Sequence, residues 1–414
     1  MIVGTNIVKI IGTEKNKLLT NNKMEQTKIF ASIIDDVTKK QIEALETSEA
    51  YKDSVIRVMP DCHAGKGCTI GSVIKYSDRV VPNTVGVDIG CGMLVTELGN
   101  IDVDLQRLDA VINTFIPSGF AIHEKPIAEY HAKWNAPISD NKEEYIQCSI
   151  GSLGGGNHFI ELNEDNEGNK YLVIHSGSRN LGVLICNYYQ ELAISKLTDD
   201  SQLKKEMITL LKAEGREKEI NDVLKALKKP KIDRELAYLE DYALNEYIAD
   251  MKNCQEYASL NRETMASVIC KEMGWYPLSK FETIHNYIDI PNKIIRKGAV
   301  RAEKNEILII PMNMRDGSLI CRGKGNEDWL NSAPHGTGRI MSRTQAKDTL
   351  KLSDFQESMK DIYTTSVCEE TIDEAPMVYK DAKQIMEDVV PTVDIIKVIK
   401  PIYNFKAKTP EKAW

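Results

Sequence analysis

Apolar positions along this chain follow two rhythms. Short runs of β-branched and apolar residues bounded by turn formers, at Cys68–Ile74, Val85–Gly90 and Tyr171–His175, predict buried strands. Val103–Phe115 instead spaces Leu105, Leu108, Val111 and Ile112 at helical intervals. From about Cys186 to Ile269 glycine nearly vanishes while Leu, Ile, Lys and Glu recur at helical spacing. Residues 189–260 carry 15 acids and 12 bases, so the section at about 187–270 is expected to be a solvated helical insertion, broken at Pro230. Strand character returns at Gly298–Ile310 and Ser318–Arg322, and at Val393–Lys400 and Ile402–Phe405 in the tail. A helix start is expected over Gly336–Ala346. Long β pieces beside a segregated helical block predict an α+β class rather than a regular βαβ series.

Composition narrows the picture. With 42% hydrophobic and 28% charged residues among 414, the values are those of a globular protein, and no apolar run approaches the roughly 18–20 residues a membrane span requires. The segment Met1–Lys17 has a short apolar patch but no basic leader or cleavage site, and nine cysteines are an odd number scattered widely. Both point to a cytoplasmic protein with reduced thiols and no membrane partner. The length admits two to three domains or one large one, and no repeat or long linker divides it. A net charge of −8 argues against an extended nucleic-acid-binding face. Locally the balance reverses: residues 285–343 hold 10 Lys+Arg against 6 Asp+Glu. Lys297, Arg301, Arg315, Arg322, Lys324, Arg339 and Arg343 are the phosphate candidates there.

Glycine is spent unevenly, 14 of the 25 falling in residues 65–99 and 151–182. Five of the seven histidines, His63, His158, His175, His285 and His335, sit beside glycine, asparagine or small residues; His123 and His131 lie in plainer polar surroundings. One such histidine alone is more often a structural hydrogen-bonder, but small neighbours around five of them let backbone and ligand approach closely. Asp88 and Cys91 add the other ligand types. In an extended strand they would face opposite ways, yet Gly90 and Gly92 can turn the chain and bring carboxylate and thiolate together. With His158, His175 and His285 they suffice for two metals sharing one ligand. Thiolate and imidazole favour zinc; carboxylate and phosphate oxygens favour manganese or magnesium. The spacing is not a closed cysteine-rich zinc motif, so an open catalytic site is preferred. His335, expected at a helix entrance, could attack phosphorus or simply contact phosphate. No Gly-x-x-x-x-Gly-Lys-Ser/Thr loop is present.

Seven motifs, Asp61–Gly67, Gly86–Met93, Gly151–Glu161, His175–Arg179, His285–Tyr287, Arg296–Ala299 and His335–Arg339, resemble in order those of the RtcB family of RNA-splicing ligases. The resemblance runs from about residue 55 to Lys406. It implies a single catalytic domain over 1–414, α+β, with the active site in a cleft of a β-rich body. It implies a ligase dependent on GTP and two Mn²⁺ ions that joins RNA 3′-phosphate or 2′,3′-cyclic phosphate ends to 5′-hydroxyl ends, in RNA repair or tRNA splicing. An accessory activator protein stays open. By position Asp88, Cys91, His158, His175 and His285 match the metal ligands, with Cys91 bridging. His335 matches the guanylylated histidine. Asn157, Glu161, Ser318, Tyr379 and Lys406 match guanylate contacts, and Asn313, His335, Gly336 and Gly338 are expected to bind the nucleotide with them. One stretch departs: in Pro311–Arg315, Asn313 stands where relatives carry serine, and Met312 and Arg315 where they carry glycine. The alternative is a dinuclear-metal phosphodiesterase or cyclic-phosphate hydrolase, which needs no guanylyl carrier.

Overall fold

The computed structural model describes residues 26–32, 34–226 and 231–408. The N-terminal apolar patch and the break expected at Pro230 lie outside them. Helices accompany a large antiparallel sheet, so the α+β expectation holds. Its seven strands run in the order Ile307–Asn313, Gly317–Gly323, Val393–Phe405, Phe159–Glu164, Lys170–Ser176, Gly92–Gly99, Ser279–Ile284. Strict alternation along Gly92–Gly99 explains its place. Met93 and Val95 face inward with Phe159, Val173, Ile309 and Ile320, whereas Leu94 and Leu98 turn to the opposite face with Leu172 and Ile174. Ile309 and Ile320 come from the far end of the strand order, and Ile309 N donates to Thr283 Oγ1 at 3.2 Å. The sheet therefore curls until its edges nearly meet.

A second sheet has the order Thr27–Ile29, Val55–His63, Ile70–Lys75, Ile294–Lys297, Asn286–Asp289, and a third pairs Ala299–Arg301 with Ser332–Pro334. The 33-residue helix Asp241–Met273 lies between the larger sheets. Its Met265 and Ile269 cover the Leu94 face, and its Tyr247, Met251 and Tyr257 join Ile56, Val58 and Ile74 of the second sheet.

Three local expectations are corrected. Val85–Gly90 is not a strand but a chain of turns, because Gly86 and Gly90 take φ of 92° and 71°. The helix expected from Gly336 starts only at Arg343, where the Ser342 side chain caps Gln345 N. Gly338 at φ 72° and a bridge between Arg339 and Tyr379 keep the preceding stretch extended. The helical section is also divided. Ser201–Ala213 and Ile220–Ala226 are largely solvated, but Arg179–Thr198 and Asp241–Met273 form core. Most of their charge lies on the solvent face, and aromatic and small residues, with the buried Asp250 and Arg262, fill the other. No helix among the described residues is long and apolar enough to cross a membrane.

Candidate active site

Strand register gathers the donor residues. Phe159 pairs with His175, His175 with Met93, and Gly92 with Ile284. His158 precedes one strand, Cys91 precedes another, His175 is near the end of a third and His285 follows a fourth. All four consequently project at the same end of the sheet. The turn closed by Cys91 N donating to Asp88 O at 3.2 Å adds the carboxylate. Glycine is required beside it, because a Cβ on Gly177 would stand 2.0 Å from Asp88 Oδ1.

The contacts are close. Cys91 Sγ lies 3.4 Å from His158 Nε2 and 3.3 Å from His175 Nε2. His175 Nε2 is 3.4 Å from His285 Nε2, and His158 Nε2 is 2.9 Å from Asp88 Oδ2. Two ligand triads arise, Cys91–His175–His285 and Asp88–Cys91–His158, with Cys91 in both. His175 Nδ1 donates to Asn157 O at 3.2 Å, which leaves the Nε2 lone pair facing the cluster. Burial, then the Asp88 carboxylate, pushes the Cys91 thiol well above its usual range. Burial lowers the His175 and His285 imidazoles, with neighbouring histidines adding to it. Neutral imidazoles around a thiol and a carboxylate fit a cation that would draw the thiol into its thiolate form.

A cavity of about 780 Å³ opens over this cluster, and Asp88, Cys91, His175, His285 and His335 line it. His335 comes from the end of the strand Ser332–Pro334 and its ring centroid is 5.0 Å from that of His285. One oxygen of the buried Asp61, Oδ2, accepts from His335 Nδ1 at 2.7 Å and from the backbone N–H groups of His335 and Gly336 at 3.2 Å each. That fixes the proton on Nδ1 and the free lone pair on Nε2. Composition and spacing gave no sign of this role for Asp61; the available signal was a lone carboxylate in the apolar run Val55–His63. His63 is tied to the same segment through Asp61 O at 2.9 Å, and burial pushes its pKa down to about 4.

The remaining expected contacts divide. Asn157, Glu161, Gly336, Gly338, Tyr379 and Lys406 line the cavity. Burial raises the Glu161 carboxyl to about 7, although Asn404 and Asn163 donate to it at 2.7 and 3.3 Å. Lys406 Nζ and Tyr379 Oη both donate to Glu374 Oε2, at 3.2 and 2.6 Å, and Arg339 and Arg343 pair with Oε1 at 3.2 and 2.7 Å. Glu374 is a second residue that the sequence left unassigned. Ser318 is buried in its strand, and its Oγ has no hydrogen-bond partner. Asn313 lines the cavity, but its side chain closes the hairpin: Oδ1 accepts from Arg315 N and Asp316 N, and Nδ2 donates to Asp316 Oδ2. Of the phosphate candidates, Lys297, Arg339 and Arg343 reach the cavity. Arg301, Arg315 and Lys324 pair instead with Glu306, Asp316 and Asp394.

Comparison with known proteins places the chain in a family. The family model described as tRNA-splicing ligase RtcB matches residues 41–144 and 128–407. RNA-splicing ligase RtcB1 of Escherichia coli (strain ATCC 25922) is 32% identical, over 85% of this chain and 90% of that protein. RNA-splicing ligase RtcB of Escherichia coli (strain K12) gives the same identity and coverage. tRNA-splicing ligase RtcB of Aeropyrum pernix is 26% identical, over 80% of this chain and 83% of its own length.

Proposed function

Because the chain belongs to the RtcB family of RNA-splicing ligases, we propose that it seals RNA 3′-phosphate or 2′,3′-cyclic phosphate ends to 5′-hydroxyl ends through a guanylylated His335. One observation carries the proposal: an imidazole with its Nδ1 proton held by Asp61 presents Nε2 within the same cavity as the two triads that share Cys91. A hydrolase with two metals needs no guanylyl carrier.

In the first step His335 Nε2 forms a bond to the α-phosphorus of GTP, and pyrophosphate departs with the electron pair of the broken P–O bond. Asp61 stays bonded to Nδ1–H and offsets the positive charge that grows on the ring. An oxygen of the RNA 3′-phosphate, present as such or formed when water opens a 2′,3′-cyclic phosphate at its P–O2′ bond, then attacks the same phosphorus, breaks the P–N bond and returns His335 to its neutral form. Finally the 5′-hydroxyl oxygen attacks the RNA phosphorus, its proton passes to solvent, and the P–O bond to GMP breaks with its electron pair on GMP, leaving a 3′,5′ phosphodiester. Two manganese ions held by Asp88, Cys91, His158, His175 and His285 would supply Lewis-acid stabilisation of phosphoryl oxygens and acidify the attacking hydroxyl. Glu161, which lines the cavity together with Tyr379 and Lys406, is suited to the guanine edge, since a carboxylate accepts from adjacent N–H donors. Lys297, Arg339 and Arg343 are suited to phosphate. The nine unpaired cysteines fit the reducing cytoplasm, and an accessory activator remains compatible with this scheme.

Incubation with α-labelled GTP and Mn²⁺ should give an acid-labile label on the protein that His335→Ala abolishes, followed by joining of a 3′-phosphate RNA to a 5′-hydroxyl RNA. Label that survives His335→Ala overturns the assignment. Absence of label together with metal-dependent cyclic-phosphate hydrolysis would establish the hydrolase instead.

A further inference from the structure

Four chain segments supply the metal donors, and two of them, residues 86–91 and 151–158, are glycine-rich loops outside any helix or strand. Their common register is held from behind. Asn261 and Arg262, consecutive on Asp241–Met273, are both 0% exposed, and no step of the proposed reaction uses them. Asn261 Oδ1 accepts from Gly151 N at 2.8 Å and Ser152 N at 3.1 Å, at the start of the loop that ends in His158. Its Nδ2 donates to Ser176 Oγ at 3.3 Å and Gly177 O at 3.2 Å, just after His175. Arg262 Nη1 donates to Gly90 O at 2.8 Å and Ser176 O at 2.5 Å, the carbonyls next to Cys91 and His175. Its Nε pairs with Glu282 Oε1 at 2.7 Å, three residues before His285.

Two neighbouring side chains thus touch all four ligand-bearing segments. A buried guanidinium is costly, and Nη2 here has no partner. Packing alone would be served by apolar residues such as Met265 and Ala266 on the same helix, which are equally buried. We propose that Asn261 and Arg262 are the positioning residues of the metal centre: a rigid helix fixes the spacing of Asp88, Cys91, His158, His175 and His285 through the carbonyls next to Cys91 and His175, the start of the loop that ends in His158, and the Glu282 side chain on the strand that leads to His285. The inference rests on the metal-centre reading above. Support of this kind behind metal ligands typically changes affinity by about 10–100-fold.

Cobalt(II) titrated into the full-length, metal-free protein provides the test, because a cobalt–thiolate charge-transfer band reports Cys91 ligation and the d–d bands report geometry. Arg262→Lys and Asn261→Ala should each weaken cobalt binding by about 10–100-fold and shift the bands. Asp250→Asn is the control. Asp250 is also buried on this helix, but it accepts from Asn135, Ala136 and Tyr189 and touches no ligand segment. It should lower the unfolding midpoint and leave cobalt affinity and spectrum unchanged. Wild-type affinity and bands in Arg262→Lys and Asn261→Ala overturn the proposal, as does an equal loss in Asp250→Asn. If Arg262→Lys does not fold, Asn261→Ala decides; failure of both to fold assigns the pair to the fold and refutes the proposal. A wild-type protein with no thiolate band would remove the metal-centre reading itself, an outcome visible before any variant is made.

Discussion

The clearest perturbation of the nucleophile is at Asp61. Three donors converge on its Oδ2, while Oδ1 is buried without a partner. In Asp61→Asn the carboxamide oxygen can occupy the Oδ2 position and keep all three donors, with its NH₂ in the place of Oδ1. Ring orientation and the Nδ1–H tautomer then survive, and only the charge is lost. A hydrogen bond to an ionised acceptor contributes about 1.5–3 kcal/mol against about 1 kcal/mol for a neutral pair. The transition state for His335 attack, in which the imidazole gains positive charge, should therefore rise by about 1–2 kcal/mol. That corresponds to guanylylation slower by about 5–30-fold. Asp61→Ala is different in kind: the ring is free to turn, either tautomer is allowed and two backbone N–H groups lose their acceptor, so a loss of about 10²–10⁴-fold is expected. Single-turnover labelling with α-labelled GTP at saturating metal measures both. An Asn variant as inert as the Ala variant would show that charge, not orientation, is what Asp61 supplies. An Ala variant with wild-type rates would refute any role for the carboxylate.

Glu161→Gln should separate stability from nucleotide recognition. Burial raises its folded pKa to about 7, above the ordinary glutamate value of 4.5, so the folded state holds an extra proton between those values. The resulting penalty is fully present above pH 7, on the order of 3 kcal/mol, and disappears as pH falls toward 4.5. Gln removes it, and Asn163, whose Oδ1 is unpartnered, can turn over to accept from the new amide. The unfolding midpoint of Glu161→Gln at pH 8 should rise relative to wild type while GTP affinity falls; a lower midpoint at pH 8 contradicts the burial argument. Gly177→Ala should displace the Asp88 carboxylate, because the added Cβ would lie 2.0 Å from Oδ1; calorimetry should find Mn²⁺ binding weakened by at least tenfold, and unchanged binding would remove Asp88 from the ligand set. RNA binding should have a shallow salt dependence, with log K falling by about 2 per tenfold increase in salt for about three phosphate contacts. A slope steeper than about 5 would require an extended basic face.

How far the site was legible depended on whether its parts were local. Asp88 and Cys91 could be brought together from sequence because the turn that joins them is made by the intervening Gly90. Three of the candidate ligands, His158, His175 and His285, were marked with His63 and His335 by glycine, asparagine or small neighbours, which a close-packed cluster needs. The partner of His335 was not legible, since Asp61 is 274 positions away and meets it only where the strand Ser332–Pro334 packs against Val55–His63. Asn261 and Arg262 were hidden for a related reason: in a helix of ordinary mixed charge nothing distinguishes a buried arginine from a solvated one until the strands behind it are in place. The same limit explains the helical section. Its charge count described the outward face correctly, but the inward tyrosines and alanines determine that Asp241–Met273 is core.

The acidic net charge and the anionic substrate are reconciled inside the cavity rather than over the surface. Lys406, Arg339 and Arg343 already share one counter-ion, Glu374, which is 2% exposed. Burial opposes its ionisation, yet Lys406, then Arg343 and Arg339, hold its carboxyl well below the usual range. The cations are consequently ordered before any substrate enters, and a phosphate that takes over one of them exchanges for a protein carboxylate, not for ions drawn from solution. Lys297 is complementary: its Nζ donates at 2.8 Å to two backbone carbonyls, Lys66 O and Asn83 O, so it offers positive charge held by neutral partners. A cavity arranged in this way needs few charges because each is fixed in place, which is why a chain of net charge −8 can be suited to RNA ends while the rest of its surface stays acidic.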